Sequence, residues 1–165
     1  MTNALEMEGW CLEPARDHDV DEIMKWFDGE HSVKIWGGPK FRYPFDRETF
    51  LADSHWGDME TFCLRSPENT LRAFGQLYER DGRINLARLI THPQVRRQGV
   101  GRRLMKMLMS IGTDLSALDE FSLFVYRDNA PALECYRSLG FEIQEYPSNQ
   151  ILADECYYLT RPVEI

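Results

Sequence analysis

Hydrophobic and polar positions alternate with a period of two in some stretches of the chain and recur at helical spacing in others. Period two is typical of half-buried strands, and recurrence at i, i+3, i+4 and i+7 is typical of amphipathic helices. The order that this pattern predicts is β-α-α-β-β-β-α-β-α-β-β, a mixed α/β chain of about seven strands and four helices. The elements are expected in turn at residues 9–13, 19–27, 46–56, 61–64, 71–79, 84–90, 100–111, 121–126, 129–139, 141–146 and 156–160.

Some element boundaries carry a local signal of their own. Asp81 followed by Gly82 predicts a tight hairpin between two strands. Gly140 predicts the end of the helix before it. Asp17 or Asp19 is expected to cap the first helix, because Asp19 with Glu22 three residues later resembles a capping box.

Residues 28–45 form an unusual segment, because glycine and proline interrupt it and yet it is rich in aromatic residues. An aromatic loop is costly to leave in water. Two interpretations stay open: the rings pack onto the core as an ordered loop, or some of them wall a ligand pocket. The candidate pocket residues are Trp36, Phe41 and Tyr43.

The pattern indicates a chain organised around residues 91–105, where a strand ends, a basic glycine-containing loop follows and a helix begins. Gly99 and Gly101 lie at the start of that helix, where free backbone N–H groups and the helix dipole favour an anion such as a phosphate. Arginines at 96, 97, 102 and 103 add positive charge there. We call residues 96–102 the glycine loop. Its spacing fits neither a P-loop nor a dinucleotide-binding fingerprint.

Composition narrows the class of protein. A chain of 165 residues is expected to form one domain over residues 1–165 and to bury about 70% of its unfolded surface. Its net charge of −8, from 27 acidic and 19 basic residues, argues against a nucleic-acid-binding surface. A basic loop on an acidic body suits a phosphorylated cofactor together with a cationic or amine acceptor.

Metal, redox and membrane functions have no support in the sequence. The four cysteines are widely spaced without a C-x-x-C pair, so neither a zinc site nor a redox motif is indicated, and the thiols are expected to be reduced and mostly buried. No apolar run approaches 18 residues, and residues 1–10 lack the apolar core of a signal peptide. We therefore expect a cytoplasmic protein without a metal.

Two motifs together resemble the GNAT superfamily of N-acetyltransferases. RRQGVG at residues 96–101 is similar to the Q/R-x-x-G-x-G/A pyrophosphate loop of that family. NAPALECY at 129–136 and LGF at 139–141 are similar to its N-x-x-A-x-x-x-Y and L-G-F signature. The resemblance covers residues 72–141 firmly and the N-terminal third only in layout.

The resemblance implies a GNAT fold, with a mixed and mostly antiparallel central sheet, and acetyl-CoA as cofactor. Backbone groups at the end of the strand before the loop would pair with the pantetheine arm and polarise the thioester carbonyl, and the loop would grip the pyrophosphate. The implied cofactor-binding residues are Leu89, Ile90, Thr91, Arg96, Arg97, Gln98, Gly99, Val100, Gly101, Arg102, Asn129, Ala132 and Tyr136.

Tyr136 is the candidate general acid for the leaving thiolate. Asn129, Ala132 and Tyr136 share one helix face, and a phenol with an ordinary pKa of about 10 suits protonation of a thiolate. The alternative is a core ring whose hydroxyl lies at the edge.

The general base stays open. Many members of the resembling family carry a glutamate on the strand before the loop, but residues 84–91 hold no carboxylate. Glu79, His92 or a water held by Asn85 are the candidates, and His92 is equally a turn residue before Pro93. An amine that arrives neutral needs no base.

The predicted function is transfer of an acetyl group from acetyl-CoA to a primary amine by direct attack in a ternary complex. The alternative is a non-catalytic acyl-CoA sensor, which the missing strand carboxylate favours. The acceptor is either a small-molecule amine or a protein amine. Homodimers are common in the resembling family, and the sequence itself leaves the oligomeric state open. Carboxylates that could draw an ammonium group to the acceptor side are Asp28, Glu30, Asp46 and Glu48.

Overall fold

A computed structural model describes residues 4–164, which form one eight-stranded sheet with helices on both faces. The strand order across the sheet is β1-β2-β3-β4-β5-β6-β8-β7. The strands are β1 Leu5–Met7, β2 Trp10–Pro14, β3 Glu60–Arg65, β4 Leu71–Arg80, β5 Arg83–Thr91, β6 Glu120–Tyr126, β7 Glu142–Gln144 and β8 Cys156–Pro162. The helices are α1 Asp19–Ile23, α2 Glu30–Gly37, α3 Arg47–Asp53, α4 Val100–Leu115 and α5 Ala130–Ser138, and short 3-10 turns follow α1 and β5.

The predicted fold class is confirmed. Neighbouring strands of the described sheet pair antiparallel except β5 and β6, which run parallel. The hairpin between β4 and β5 turns at Asp81 and Gly82, which both have positive φ, at 50° and 74°. Two residues in this conformation match the right-handed twist of the flanking strands.

Two elements were not predicted from the sequence. Strand β1 is only three residues long and lies in an acidic segment, and it forms because Leu5–Met7 pairs with the edge of β2. Helix α2 forms at Glu30–Gly37, inside the segment predicted to be a loop. The prediction of a loop there was therefore wrong for its first half.

The predicted cap of α1 was also wrong. His18 precedes the helix and makes no capping hydrogen bond. The Asp19 carboxylate is buried and accepts hydrogen bonds from the Arg65 guanidinium at 2.7 and 2.8 Å and from the backbone N–H of Arg16 at 2.8 Å. It therefore ties the helical layer to β3 rather than capping a helix.

The two faces of the sheet carry separate cores. On one face α4 and α5 pack on the sheet through residues such as Leu104, Leu108 and Phe121. On the other face α1, α2 and α3 enclose a second core built around Phe50 and Phe74. No helix within residues 4–164 is both long and apolar enough to cross a membrane.

A gap between β5 and β6 interrupts the sheet near its centre. These strands pair at Ile84 with Phe121 and at Asn85 with Ser122 only. Beyond Asn85, and within the described chain, β5 has no pairing on its β6 side. Because β5 continues to Thr91, an open backbone edge runs towards the glycine loop.

Candidate active site

The glycine loop has the geometry of an anion-binding turn. Arg97 and Gly99 both adopt left-handed backbone conformations, with φ of 66° and 80°. Helix α4 begins at Val100, and its first intrahelical hydrogen bond runs from the N–H of Arg103 to the carbonyl of Gly99 at 3.1 Å. The N–H groups before Arg103 therefore have no helical partner, and they lie at the positive end of a 16-residue helix.

The surroundings of the loop leave room for a phosphate. A Cβ added at Gly99 would meet nothing within 4 Å. Arg96, Arg97 and Gln98 are exposed, and the two arginines make no ion pair within residues 4–164. The first turn of α4 contains no acidic residue. An anion could be held here by backbone N–H groups and two free guanidinium groups.

The loop is brought against both other parts of the predicted cofactor site. A Cβ at Gly101 would lie 3.7 Å from Cγ2 of Thr91, at the end of β5. Arg102 donates a hydrogen bond of 2.5 Å from Nη1 to the Ser138 hydroxyl at the end of α5. Ala132 and Tyr136 of α5 pack against the same core as α4.

Tyr136 has a hydroxyl that is available to a ligand. It makes no hydrogen bond within residues 4–164, and it is not sealed from solvent. Burial of the side chain raises the pKa of this phenol above its ordinary value, so the group keeps its proton at neutral pH. Asn129 precedes α5, is half-buried, and does not use its side chain as a helix cap.

A cavity of about 600 Å³ opens beside the free edge of β5, on the sheet face that carries α2 and α3. Its walls come from the end of α2, from β4, β5 and β6, and from the segment between β7 and β8. The lining includes Trp36, Phe41, Asn85, Arg88, Phe124 and Tyr126.

The three aromatic residues predicted for the acceptor pocket are placed differently. Trp36 and Phe41 line the cavity, and both also pack on Phe50 of the core. These rings therefore pack onto the core, as the first interpretation expected, and their place in the cavity wall leaves the ligand pocket of the second interpretation a prediction. Tyr43 is 43% exposed, contacts Phe45, and is not among the residues that line the cavity.

The candidate bases are not gathered at the cavity. Glu79 lies on the opposite face of β4 and accepts a hydrogen bond of 2.6 Å from the hydroxyl of Ser116, beyond the end of α4. His92 accepts from the backbone N–H of Gln94 through Nδ1 and contacts Trp26, as a turn residue does. Asn85 does line the cavity, and its side-chain amide oxygen accepts a hydrogen bond from the Ser122 hydroxyl.

Tyr126 and Arg88 are among the polar residues of the cavity wall that sequence reasoning missed. Tyr126 lies at the end of β6, its buried hydroxyl has no partner within residues 4–164, and burial raises its pKa to about 12. Arg88 projects from β5. The sequence carried a signal for Arg88. Apolar residues alternate at Ile84 and Leu86, but position 88 is polar and the next apolar residue is Leu89, which is typical of a strand with one extra residue.

The sequence comparison decides the family. A sequence model of the acetyltransferase (GNAT) family matches residues 20–141, from α1 to the end of α5. The chain belongs to this family. The matched range includes both the glycine loop and the α5 signature on which the resemblance rested.

Solved structures with this fold include several N-acetyltransferases. The spermidine N-acetyltransferase of Vibrio cholerae, in complex with CoA and spermine, is 15% identical, with a TM-score of 0.73 over 94% of this chain and 96% of that one. The ribosomal-protein-S18-alanine N-acetyltransferase of Escherichia coli is 19% identical, with a TM-score of 0.66 over 94% and 95%. The PaiA N-acetyltransferase of Thermoplasma acidophilum, with coenzyme A, is 13% identical, with a TM-score of 0.67 over 93% and 98%. At these identities the likeness shows the GNAT fold.

Proposed function

We propose that this protein is an acetyl-CoA-dependent N-acetyltransferase that transfers an acetyl group to a primary amine within a ternary complex. One observation carries the proposal: beyond Asn85, which lines the cavity, β5 has no described strand partner on its β6 side, and it ends at Thr91 beside the glycine loop. An extended ligand lying along that edge would have its phosphates at the start of α4 and its reactive end at the cavity.

The residues present fit coenzyme A. The backbone N–H groups before Arg103, with Arg96 and Arg97, would hold the pyrophosphate. The backbone of Leu89, Ile90 and Thr91 would pair with the amide groups of the pantetheine arm as an added strand does. Asn129 and Ala132 would contact the cofactor from α5.

Acetyl-CoA, when bound, supplies an acetyl thioester that an amine can attack. The Tyr136 hydroxyl would hold the proton that the leaving thiolate needs, because burial keeps its pKa above the ordinary value. Cys135 would not serve as a covalent carrier, because burial raises the pKa of its thiol and keeps it protonated. This favours direct attack over a route through an acyl-enzyme.

We assign no side-chain base. The carboxylate that lines the cavity, Asp53, is held by the Arg42 guanidinium through hydrogen bonds of 2.9 and 3.0 Å. Glu79 faces the other side of the sheet. The amine would instead lose its proton to water in the cavity, beside the buried amide of Asn85.

Calorimetric titration of acetyl-CoA tests the cofactor site. Arg97→Glu is expected to weaken binding at least about tenfold, because it replaces a free cation at the anion site with a repelling charge. Lys106→Glu is the matched control, since it makes the same change of charge on an exposed position of α4, beyond its first turn. Equal weakening in both variants, or no binding to the wild type, would contradict the proposed site.

A non-catalytic acyl-CoA sensor is the second candidate, and the lack of a free carboxylate in the cavity favours it. Thiol release during incubation with acetyl-CoA and a panel of amines separates the two. Release that depends on an amine supports the enzyme, whereas tight acetyl-CoA binding without release for any amine supports the sensor. The panel should hold small amines and peptides with a free N-terminus or a lysine.

A further inference from the structure

Arg88 enters the cavity because β5 contains a bulge. Gln76 pairs with Ala87 and Phe74 pairs with Ile90, so two residues of β5, Arg88 and Leu89, lie opposite one residue of β4. Arg88 has a left-handed φ of 49°. A regular strand would have directed its side chain into the core beneath α4, whereas the bulge directs it to the cavity face.

The guanidinium of Arg88 is held by neutral groups and forms no salt bridge with any residue that the structure describes. Nη1 donates to Oε1 of Gln76 at 3.1 Å and contacts Sδ of Met59 at 3.6 Å. Nε is buried and has no hydrogen-bond partner within residues 4–164. Nη2 also makes no hydrogen bond there, but it is not sealed from solvent. Burial lowers the pKa of this group from its ordinary value, yet an arginine keeps its charge in proteins.

Gln76 fixes the direction of the guanidinium. Its side chain is fully buried, and its Nε2 donates to the carbonyl of Ser54 at 2.7 Å and to the hydroxyl of Thr61 at 3.0 Å. The amide oxygen is therefore left to accept from Arg88. The cation at the cavity wall is thus positioned by a network anchored in β3, β4 and the end of α3.

The rest of the cavity is also positive. Lys40 and Arg80 line it, and Arg80 is held by the Tyr78 hydroxyl, by the Gln150 side chain and by the ring of Phe124. Asp53 is neutralised by Arg42, which is not among the lining residues. The carboxylates that the sequence offered for the acceptor side, Asp28, Glu30, Asp46 and Glu48, are not among the lining residues either.

We propose that the acceptor amine carries a carboxylate, as an α-amino acid does, and that Arg88 binds this carboxylate. The proposal rests on the proposed acetyltransferase function. It departs from the cationic acceptor that the acidic composition suggested, because a polyamine would bring further positive charge to Lys40, Arg80 and Arg88. The glycine loop does not line this cavity, so the cofactor phosphates do not account for the cation there.

Matched acceptors test the proposal in turnover. Each α-amino acid is compared with its C-terminal amide, which keeps the primary amine and lacks the carboxylate, and spermidine serves as a polycationic acceptor. The wild type is expected to favour the best acid over its amide by about 10- to 100-fold in kcat/KM, the range expected for hydrogen bonds to a charged group. Arg88→Met is expected to lose this preference, through a higher KM for the acid.

Arg83→Met is the matched control. It removes another arginine from β5, one that pairs with Glu120 at 3.1 Å and does not line the cavity. The preference for the acid is expected to survive in this variant. Arg88→Lys, which keeps the charge but not the planar pair of donors, is expected to recover part of the preference and serves if the methionine variant does not fold.

A binding measurement keeps the proposal separate from catalysis. N-acetyl-α-amino acids and their amides are titrated calorimetrically into the protein without cofactor, so a sensor without turnover is tested as well. Tighter binding of the acids than of the amides by the wild type, with this difference lost in Arg88→Met, supports the proposal even if no thiol is released. Equal binding of acids and amides, efficient use of spermidine, or an Arg88-dependent preference for succinyl-CoA with neutral amines would each overturn it.

Discussion

The Tyr136 hydroxyl is the side-chain group on which the proposed chemistry depends most directly. Tyr136→Phe is expected to lower kcat by about 10²-fold or more, the usual contribution of a positioned proton donor. Acetyl-CoA affinity should change little, because the ring and its packing on Phe141 remain. The raised pKa places any alkaline loss of wild-type activity that is due to this group above about pH 10.

Steady-state rates and calorimetric affinities for the same protein preparations check this prediction. Tyr157→Phe is the control, since that ring lies on β8, contacts the Arg127 guanidinium and does not belong to the proposed cofactor site. A Tyr136→Phe variant with wild-type kcat would exclude the proton-donor role and leave Tyr136 as a packing residue.

Individual site residues were predictable where their signal is local in sequence. The glycine loop and α5 could be predicted because glycines, arginines and the Asn129 to Tyr136 spacing lie within one turn or helix. Glu79 was chosen for its charge near the strand, but a period of two along β4 directs it to Ser116, away from Tyr78 and the cavity. Predicting a base on β4 requires knowing which face of the strand meets the cavity, and the residue type alone does not carry that information.

Helix α3 shows how one element obtains a defined start. Asp46 accepts a hydrogen bond from the N–H of Thr49 at 2.8 Å, and the Thr49 hydroxyl accepts from the N–H of Asp46 at 3.0 Å. Asp46→Ala is expected to lower the free energy of unfolding measurably, because this reciprocal cap is lost. Urea unfolding of Asp46→Ala checks this prediction, and Glu48→Ala, at an exposed position, is the control. A loss of stability in Glu48→Ala as large as that in Asp46→Ala would contradict the capping role.

Elements with a long periodic pattern were predicted well, and those formed by tertiary contacts were not. Helix α4 has a 16-residue amphipathic pattern and appears where it was expected. Helix α2 lacks such a pattern and is fixed instead by the Trp36 indole, whose Nε1 donates to the carbonyl of Arg88 at 2.7 Å. A contact across 52 positions of sequence has no local signature. The bulge in β5 is intermediate, because its broken alternation is visible in sequence but its geometry depends on β4.

The stability of the whole molecule in acid should depend on the buried pair that joins its helical layer to the sheet. Burial on its own raises the pKa of the Asp19 carboxyl, but hydrogen bonds from Arg65 and the Arg16 backbone outweigh it and hold the pKa below the ordinary value. The pair therefore stabilises the fold above about pH 4, and this stabilisation is lost as pH falls through the native pKa. Asp19→Asn is expected to cost about 1.5–3 kcal/mol at pH 7, because Arg65 loses its buried carboxylate partner and keeps only Glu13, at 2.7 Å.

Urea unfolding at pH 7 and at pH 3 checks both the size and the sign of this effect. The difference in the free energy of unfolding between the wild type and Asp19→Asn should be smaller at pH 3 than at pH 7. Asp21→Asn is the matched control, since its exposed carboxylate pairs with Arg47 at 3.2 Å, and such a pair contributes about 1 kcal/mol or less. A difference that grows in acid would contradict the assignment.

The short pairing of β5 with β6 divides the sheet into two parts, which are joined by two residue pairs and by the packing of α4. Backbone amides along the far part of β5 lack the protection that a complete sheet would give them. A ligand that lay in this seam would act as the missing strand, and ligand at a hundred times its Kd adds about 2.7 kcal/mol to the stability of the folded form. If coenzyme A binds there as proposed, the stability of the folded form depends on the concentration of that ligand, and unfolding and proteolysis are expected to be fastest when it is scarce.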